Sequence, residues 1–145
     1  MIRVHGTSVS VGGEGILLRG PSGSGKSDLA LRLIDEGAKL VADDQTELER
    51  HDSSIEMSAP ASIAGLIEVR GLGIVRVPYV ARAPLRLVVD LEKDEAIVRL
   101  PEPRFCTIEG ISVPLVSLDP FAASAAAKLR LALKTLAPAG ILAAP

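Results

Sequence analysis

Residues Gly20 to Ser27 read GPSGSGKS and satisfy the spacing G-x-x-x-x-G-K-[ST] in full. Each position has a chemical reason. Glycines let successive backbone N–H groups turn toward one point, where they can wrap phosphate oxygens. A lysine after the last glycine reaches the outer phosphates, and the hydroxyl that follows can hold magnesium. The pattern is credible only between a strand and a helix. Gly15-Ile16-Leu17-Leu18 before it reads as a short buried strand, and Asp28 to Ile34 after it as a helix. That helix start adds the positive end of its dipole. The expected phosphate-binding residues are therefore Gly20, Pro21, Ser22, Gly23, Ser24, Gly25, Lys26 and Ser27.

Phosphate binding alone is not chemistry. Phosphoryl transfer also needs metal ligands and a group that positions or deprotonates the acceptor. Asp43-Asp44 follows the apolar run Leu40-Val41-Ala42. Neighbouring side chains of an extended segment point to opposite faces, so the two carboxylates should do different work. One can face the phosphates and accept a proton, and the other can orient the metal shell or a neighbour. Taken alone, the pair reads first as a solvated turn after a strand; the phosphate loop shortly before it reverses that reading. Glu68 and Arg70 share one face of a proposed strand. They read either as a surface ion pair of small energetic weight, or as a magnesium ligand and a cation offsetting phosphate charge. His5, before Gly6, is either structural or placed to touch phosphate or tune an acidic partner. His51 lies in a charged stretch and reads as surface.

The elements that must carry these groups are mostly short strands. Ile2 to Val4 and Ser8 to Val11 are strand candidates, with a turn at Gly12-Gly13. Gly37 stands where a helix C-cap belongs. Lys39 to Ala42 forms the strand that ends in the aspartates, and Glu47 to Ser58 reads as hairpin strands. Pro60 to Leu66 can hold a helical turn, and Ile67 to Arg70 alternates as a half-buried strand before a bend at Gly71-Leu72-Gly73. Leu85 to Leu91 and Ala96 to Leu100 are expected strands around the polar turn Glu92 to Glu95, and Ile111 to Val116 is another. Asp119 as N-cap and Pro120 at the first helical position predict a helix to about Leu136. Its positions Phe121, Ala125, Leu129, Leu133 and Leu136 form an apolar stripe, read first as packing on the chain's own core. The tail from Ala137 to Pro145 is expected to be loosely ordered. The reading is one α/β domain over residues 1–145, rich in strands and poor in helices.

Composition narrows the function classes. A chain of 145 residues suits one domain with a real core. A net charge of -2 gives no general attraction to nucleic acid or anionic membrane. Tyr79, Phe105 and Phe121 are the aromatic residues, which argues against a base-stacking platform for nucleic acid. Cys106 is alone, so no internal disulfide or cysteine metal cluster can form. No signal-peptide core opens the chain and no apolar run is long enough to span a membrane. The expected location is the cytoplasm.

Taken in order, His5-Gly6, GPSGSGKS, LVADD and EVRGLGIV resemble the catalytic domain of the HPr kinase/phosphorylase family. These segments lie between residues 5 and 75, and EVRGLGI is the most specific of them. The resemblance implies a strand-rich phosphate-loop kinase core related to phosphoenolpyruvate carboxykinase. It also implies a serine of the phosphocarrier HPr as substrate, ATP and magnesium as cofactors, and a homo-oligomer as an allowed state. By the same resemblance, Lys26 and the loop hold ATP, Ser27 and Glu68 hold magnesium, and Asp44 accepts the proton during phosphorylation. His5 is a further active-site residue, with Asp43 and Arg70 as supports. His5-Gly6 stands so near the start that a short form with only the C-terminal catalytic domain is expected. The family's Gly-Arg-Asn segment, linked to the reverse phosphorolytic reaction, is replaced by Val113 to Phe121, so phosphorylase activity is not carried over. The expected activity is an ATP- and magnesium-dependent serine kinase acting on HPr. The alternatives are a non-catalytic ATP-binding switch and a small-molecule kinase whose lid would draw on Arg76, Arg82 or Arg86.

Overall fold

The structure, a computed structural model, describes residues 1–136. The tail expectation for residues 137–145 lies outside the described residues. Gly15 to Leu18 sits in a hairpin. Strands β2 (Thr7–Val11) and β3 (Glu14–Arg19) pair antiparallel across Gly12 and Gly13, whose φ values are 59° and 89°. A two-residue hairpin loop with both central residues at positive φ matches the twist of the flanking strands, and glycine supplies that φ without strain. The phosphate loop leaves β3 and enters helix α1 (Lys26–Asp35). This helix stops at Gly37, which has φ 109°. The Gly37 N–H donates to the Ile34 carbonyl and the Ala38 N–H to the Leu33 carbonyl, while buried Ala38 and Leu33 complete the cap's apolar contact.

The remaining strands are β1 (Ile2–His5), β4 (Lys39–Ala42), β5 (Gln45–His51), β6 (Ser54–Ser58), β7 (Leu66–Val69), β8 (Gly73–Arg76), β9 (Arg82–Leu91), β10 (Arg104–Ile108) and β11 (Ile111–Leu118). A second helix, α2 (Ala125–Thr135), follows them. Strand β9 is the organising element. Its first residues pair antiparallel with β6, and its later ones run parallel to β3 on one side and to β11 on the other. Enclosed on both edges and both faces, Leu87, Val88 and Val89 are all fully buried, as the continuous apolar run of a parallel strand requires. The register shifts at Gly15/Ile16, so Gly15 faces Leu85 and Ile16 faces Leu87. This bulge breaks the two-residue alternation. Leu85 joins one core cluster and Leu87 the other, although both are odd-numbered along one strand.

The two clusters lie on opposite faces of the sheet. The first joins Ile16, Leu18, Leu40 and Val89 to Leu29 and Leu33 of α1 and Leu129 and Leu133 of α2. The second joins Leu17, Val41 and Val88 to Leu48, Ile55 and Met57 of the β5–β6 layer. The helices therefore cover one face and antiparallel strands the other. The result is the strand-rich α/β architecture with two main helices that the sequence predicts. Among the described residues, no helix is long and apolar enough to cross a membrane.

Three local expectations are corrected. Ala96 to Leu100 is not a strand. Asp94–Ala96 is a 3-10 turn, and Val98 and Leu100 are exposed. A hairpin partner next to β9 has no free edge to occupy, because β3 and β11 hold both sides. The second helix starts at Ala125 rather than Pro120. Asp119 Oδ1 accepts the Phe121 N–H at 2.9 Å and so stabilises a separate turn before Ser124. Ala125, Leu129 and Leu133 of the expected stripe are buried, while Phe121 stands outside the helix and is 69% exposed. Strands β8 and β10, absent from the sequence reading, are short pieces defined by their partners β7 and β11.

Candidate active site

At the loop itself, Gly23 and Gly25 have φ values of 81° and 99°, a conformation that turns amides toward a common point and that side chains with a Cβ rarely adopt. Gly20 has no room for a Cβ, which would lie 2.5 Å from Ser24 Oγ. Lys26 is 6% exposed and folds back along the loop, donating to the carbonyls of Gly20 at 2.8 Å and Pro21 at 3.1 Å. Ser24 Oγ is buried with no hydrogen-bond partner among the described residues. An orphaned buried hydroxyl costs about 1–3 kcal/mol, and in a cradle of inward-turned amides a phosphate oxygen is the fitting acceptor. Arg19, at the entry to the loop, is bound bidentate to Asp90, at 2.8 and 3.1 Å. Its guanidinium is pushed above its ordinary value, chiefly by the hydrogen bond to Asp90, with burial acting the other way. Asp90 is the last residue but one of β9, opposite Arg19 of β3, and both its oxygens are taken by Arg19.

The acidic pair is gripped by the chain's first strands. β1 pairs with β5 so that His5 stands opposite Gln45. This brings His5-Gly6-Thr7 against Asp43-Asp44. Asp44 has φ 67°, and the Gln45 N–H bonds the Asp43 carbonyl at 2.7 Å. These two features describe a γ-turn of the rare positive-φ kind, with strain on the order of 1–3 kcal/mol. Such a turn persists only where its surroundings fix it. Here Thr7 Oγ1 accepts the Asp44 N–H at 3.0 Å, and the Asp44 carbonyl accepts the Gly6 N–H at 2.9 Å. Gly6 itself must be glycine because a Cβ would lie 2.8 Å from Leu17 Cδ1 and 3.0 Å from the Leu18 carbonyl oxygen.

The two carboxylates are thereby separated in task. Asp43 Oδ1 accepts from Ser27 Oγ at 2.7 Å and Thr7 Oγ1 at 3.1 Å, while Oδ2 accepts the Glu68 N–H at 2.9 Å. Asp43 therefore ties the phosphate loop, β2 and β7 together and has both oxygens engaged. Asp44 meets His5 Nε2 at 2.6 Å through Oδ1. An ionised carboxylate has only acceptors, so this contact requires the histidine form with a proton on Nε2 when Asp44 is ionised. The Asp44 side chain is 60% exposed, which leaves Oδ2 open to an incoming hydroxyl.

Glu68 and Arg70 are both exposed, Glu68 on β7 and Arg70 just beyond its end. The structure brings the Glu68 backbone to Asp43, while its carboxylate faces solvent on the same rim. Among the described residues no group of three or more His, Cys, Asp or Glu is placed to hold a metal ion. Ser27 and Glu68 suit magnesium in its usual mode, one or two protein oxygens completed by phosphates and water. Arg82 and Arg86 lie on β9 in exposed ion pairs, Arg82 3.7 Å from Glu56 and Arg86 2.7 Å from Glu14. His51 is a surface residue, 3.5 Å from both Glu49 and Glu56.

Thr7 is the site residue that sequence reasoning missed. It is fully buried and bonds both aspartates. Its one visible signal is its place directly after His5-Gly6. Thr7→Val keeps the shape and deletes the hydroxyl, so the Asp44 N–H loses its acceptor and Asp43 Oδ1 keeps Ser27 as its remaining side-chain donor, at about 0.5–1.5 kcal/mol per hydrogen bond lost. We expect turnover to fall about 10-fold with ATP affinity nearly unchanged, and Thr7→Ser to restore most of the rate. Single-turnover kinetics beside calorimetric ATP titration check this; equal loss in the Ser and Val variants removes the positioning role.

Comparison with known proteins fits this geometry. The family model described as HPr Serine kinase C-terminal domain matches residues 1–119. An HPr kinase/phosphorylase of Clostridium tetani is 43% identical over 98 residues, which are 68% of this chain and 32% of that protein. One from a Geobacillus species is 43% identical over 97 residues, 61% of this chain and 31% of that protein. The chain thus spans about a third of the length of these curated relatives. Among solved structures, the HPr(Ser) kinase/phosphatase of Coxiella burnetii superposes with a TM-score of 0.83 at 26% identity, covering 92% of this chain and 95% of that one.

Proposed function

The chain belongs to the family of HPr serine kinase C-terminal domains, and from that premise we propose that it is an ATP- and magnesium-dependent kinase that phosphorylates a serine of an HPr-like carrier protein. The observation that carries this reading is the 2.6 Å contact between His5 and Asp44, on a strained turn that Asp43 ties to Ser27 of the phosphate loop. The described residues act as one catalytic unit, and a carrier of this kind places the reaction in the cytoplasm.

ATP with magnesium supplies the phosphoryl group and screens its charge. The chain does the rest. Loop amides and Lys26 hold the outer phosphates, and Ser27 and Glu68 offer hard oxygens to the metal. Asp43 orients the Ser27 hydroxyl. Arg70, on the same rim as Glu68, adds positive charge toward the phosphates. His5 fixes Asp44 Oδ1, so that Oδ2 takes the proton from the serine hydroxyl as that oxygen attacks in line. Positioning and electrostatics supply most of the rate in such a reaction.

The test is incubation with ATP, magnesium and HPr, with phosphate located by mass spectrometry. Phosphoserine on HPr is the expected result. ATP binding with no phosphoserine at any enzyme concentration would leave a nucleotide-binding switch.

A further inference from the structure

Phe121 is one of three aromatic residues in the chain, and it stands at the phosphate loop. A Cβ on Gly25 would lie 3.1 Å from Phe121 Cζ and 3.1 Å from Pro120 Cγ, so this segment rests directly on the loop's last glycine. The ring is nevertheless 69% exposed. Its placement does not depend on burial. Arg32, paired with Asp28 at 3.1 Å on α1, donates to the Pro120 carbonyl, and Asp119 Oδ1 holds the Phe121 N–H. Helix α1 and the loop thus hold the backbone beneath an aromatic side chain that is open to water.

We propose that Phe121 is the platform on which the base of the bound nucleotide stacks. This rests on the nucleotide-binding reading above. When the amides of Gly20 to Ser27 hold the phosphates, the nucleoside must leave the loop across its rim, and on that rim Phe121 presents an aromatic face beside Gly25. Stacking on a ring reads the π-face rather than hydrogen-bonding edges, so it adds affinity for the nucleoside without needing a polar partner for the base. The backbone that carries the ring is already held, so less ordering entropy opposes binding.

The experiment compares ATP with inorganic tripolyphosphate, which engages the loop but has no base. In calorimetric titrations, Phe121→Ala should weaken ATP binding about 10-fold, within the ~5- to 100-fold range of a lost base–aromatic stack, while tripolyphosphate affinity stays within about twofold. Phe121→Trp places the only tryptophan in the chain at this position. Its emission should change with ATP and stay constant with tripolyphosphate. A parallel loss for both ligands in Phe121→Ala would make Phe121 a prop for the loop and overturn the proposal. Unchanged ATP affinity together with a silent tryptophan would overturn it too. Wild-type protein that binds neither ligand would instead remove the nucleotide reading, and the platform with it.

Discussion

Asp44→Asn is expected to cut phosphoryl transfer to the carrier serine by at least about 10²-fold, and up to the ~10⁴-fold that a general base contributes, with ATP binding retained. The substitution suits this question for structural reasons. Asn tolerates the left-handed region as well as Asp does, so the φ of 67° at this position adds no new strain. Its side-chain oxygen can still accept from His5 Nε2, which meets Asp44 Oδ1 at 2.6 Å. The backbone anchors from Thr7 and Gly6 do not involve the side chain. What disappears is the free oxygen able to take a proton. Single-turnover transfer from labelled ATP, read beside calorimetric affinity, separates the two effects. An Asn variant within about threefold of wild type would refute the assignment of Asp44 as proton acceptor.

Lys26→Ala should behave differently, losing both nucleotide affinity and transfer. The ammonium is the one side-chain cation inside the loop, and it sits on a buried stem. Removing a preorganised charge-stabilising donor costs about 10²- to 10³-fold in rate, and here the same charge also contributes to ground-state binding of the phosphates. Lys26→Met, which keeps the stem and removes the charge, should match the alanine variant. If Met restores ATP affinity, packing rather than charge is what Lys26 supplies. In wild type the Lys26 amine caps the Gly20 and Pro21 carbonyls, so a urea melt of each variant distinguishes a weakened loop from a weakened site. The contrast with Asp44→Asn matters: on the proposed mechanism one residue acts on binding and reaction together, the other on reaction alone.

Much of this architecture can be read along the chain because its causes are local. Gly12-Gly13 forces a tight hairpin, Gly37 ends α1, and GPSGSGKS between an apolar run and a helical one specifies its own loop. Where the sequence misleads, the deciding contact is distant. Leu85 to Leu91 and Ala96 to Leu100 look alike as apolar runs, yet one is the central strand and the other is no strand. The difference is that β3 and β11 already occupy both edges of β9. Asp119-Pro120 has the chemistry of a helix start, but Arg32 from α1 holds the Pro120 carbonyl and the chain turns first.

The same division runs through the site. The residue types and their order set the expectation of a loop that grips phosphate with carboxylates and a histidine beside it, because that loop and those side chains can be named from the sequence. Which carboxylate is engaged and which is free is settled only when β1 pairs with β5 and lays His5-Gly6-Thr7 across the aspartates. The His5–Asp44 contact that this pairing creates joins residues 39 apart, and no local propensity encodes it. It follows from burying Leu17, Val41 and Leu48 in one core, a condition that only the whole fold can satisfy.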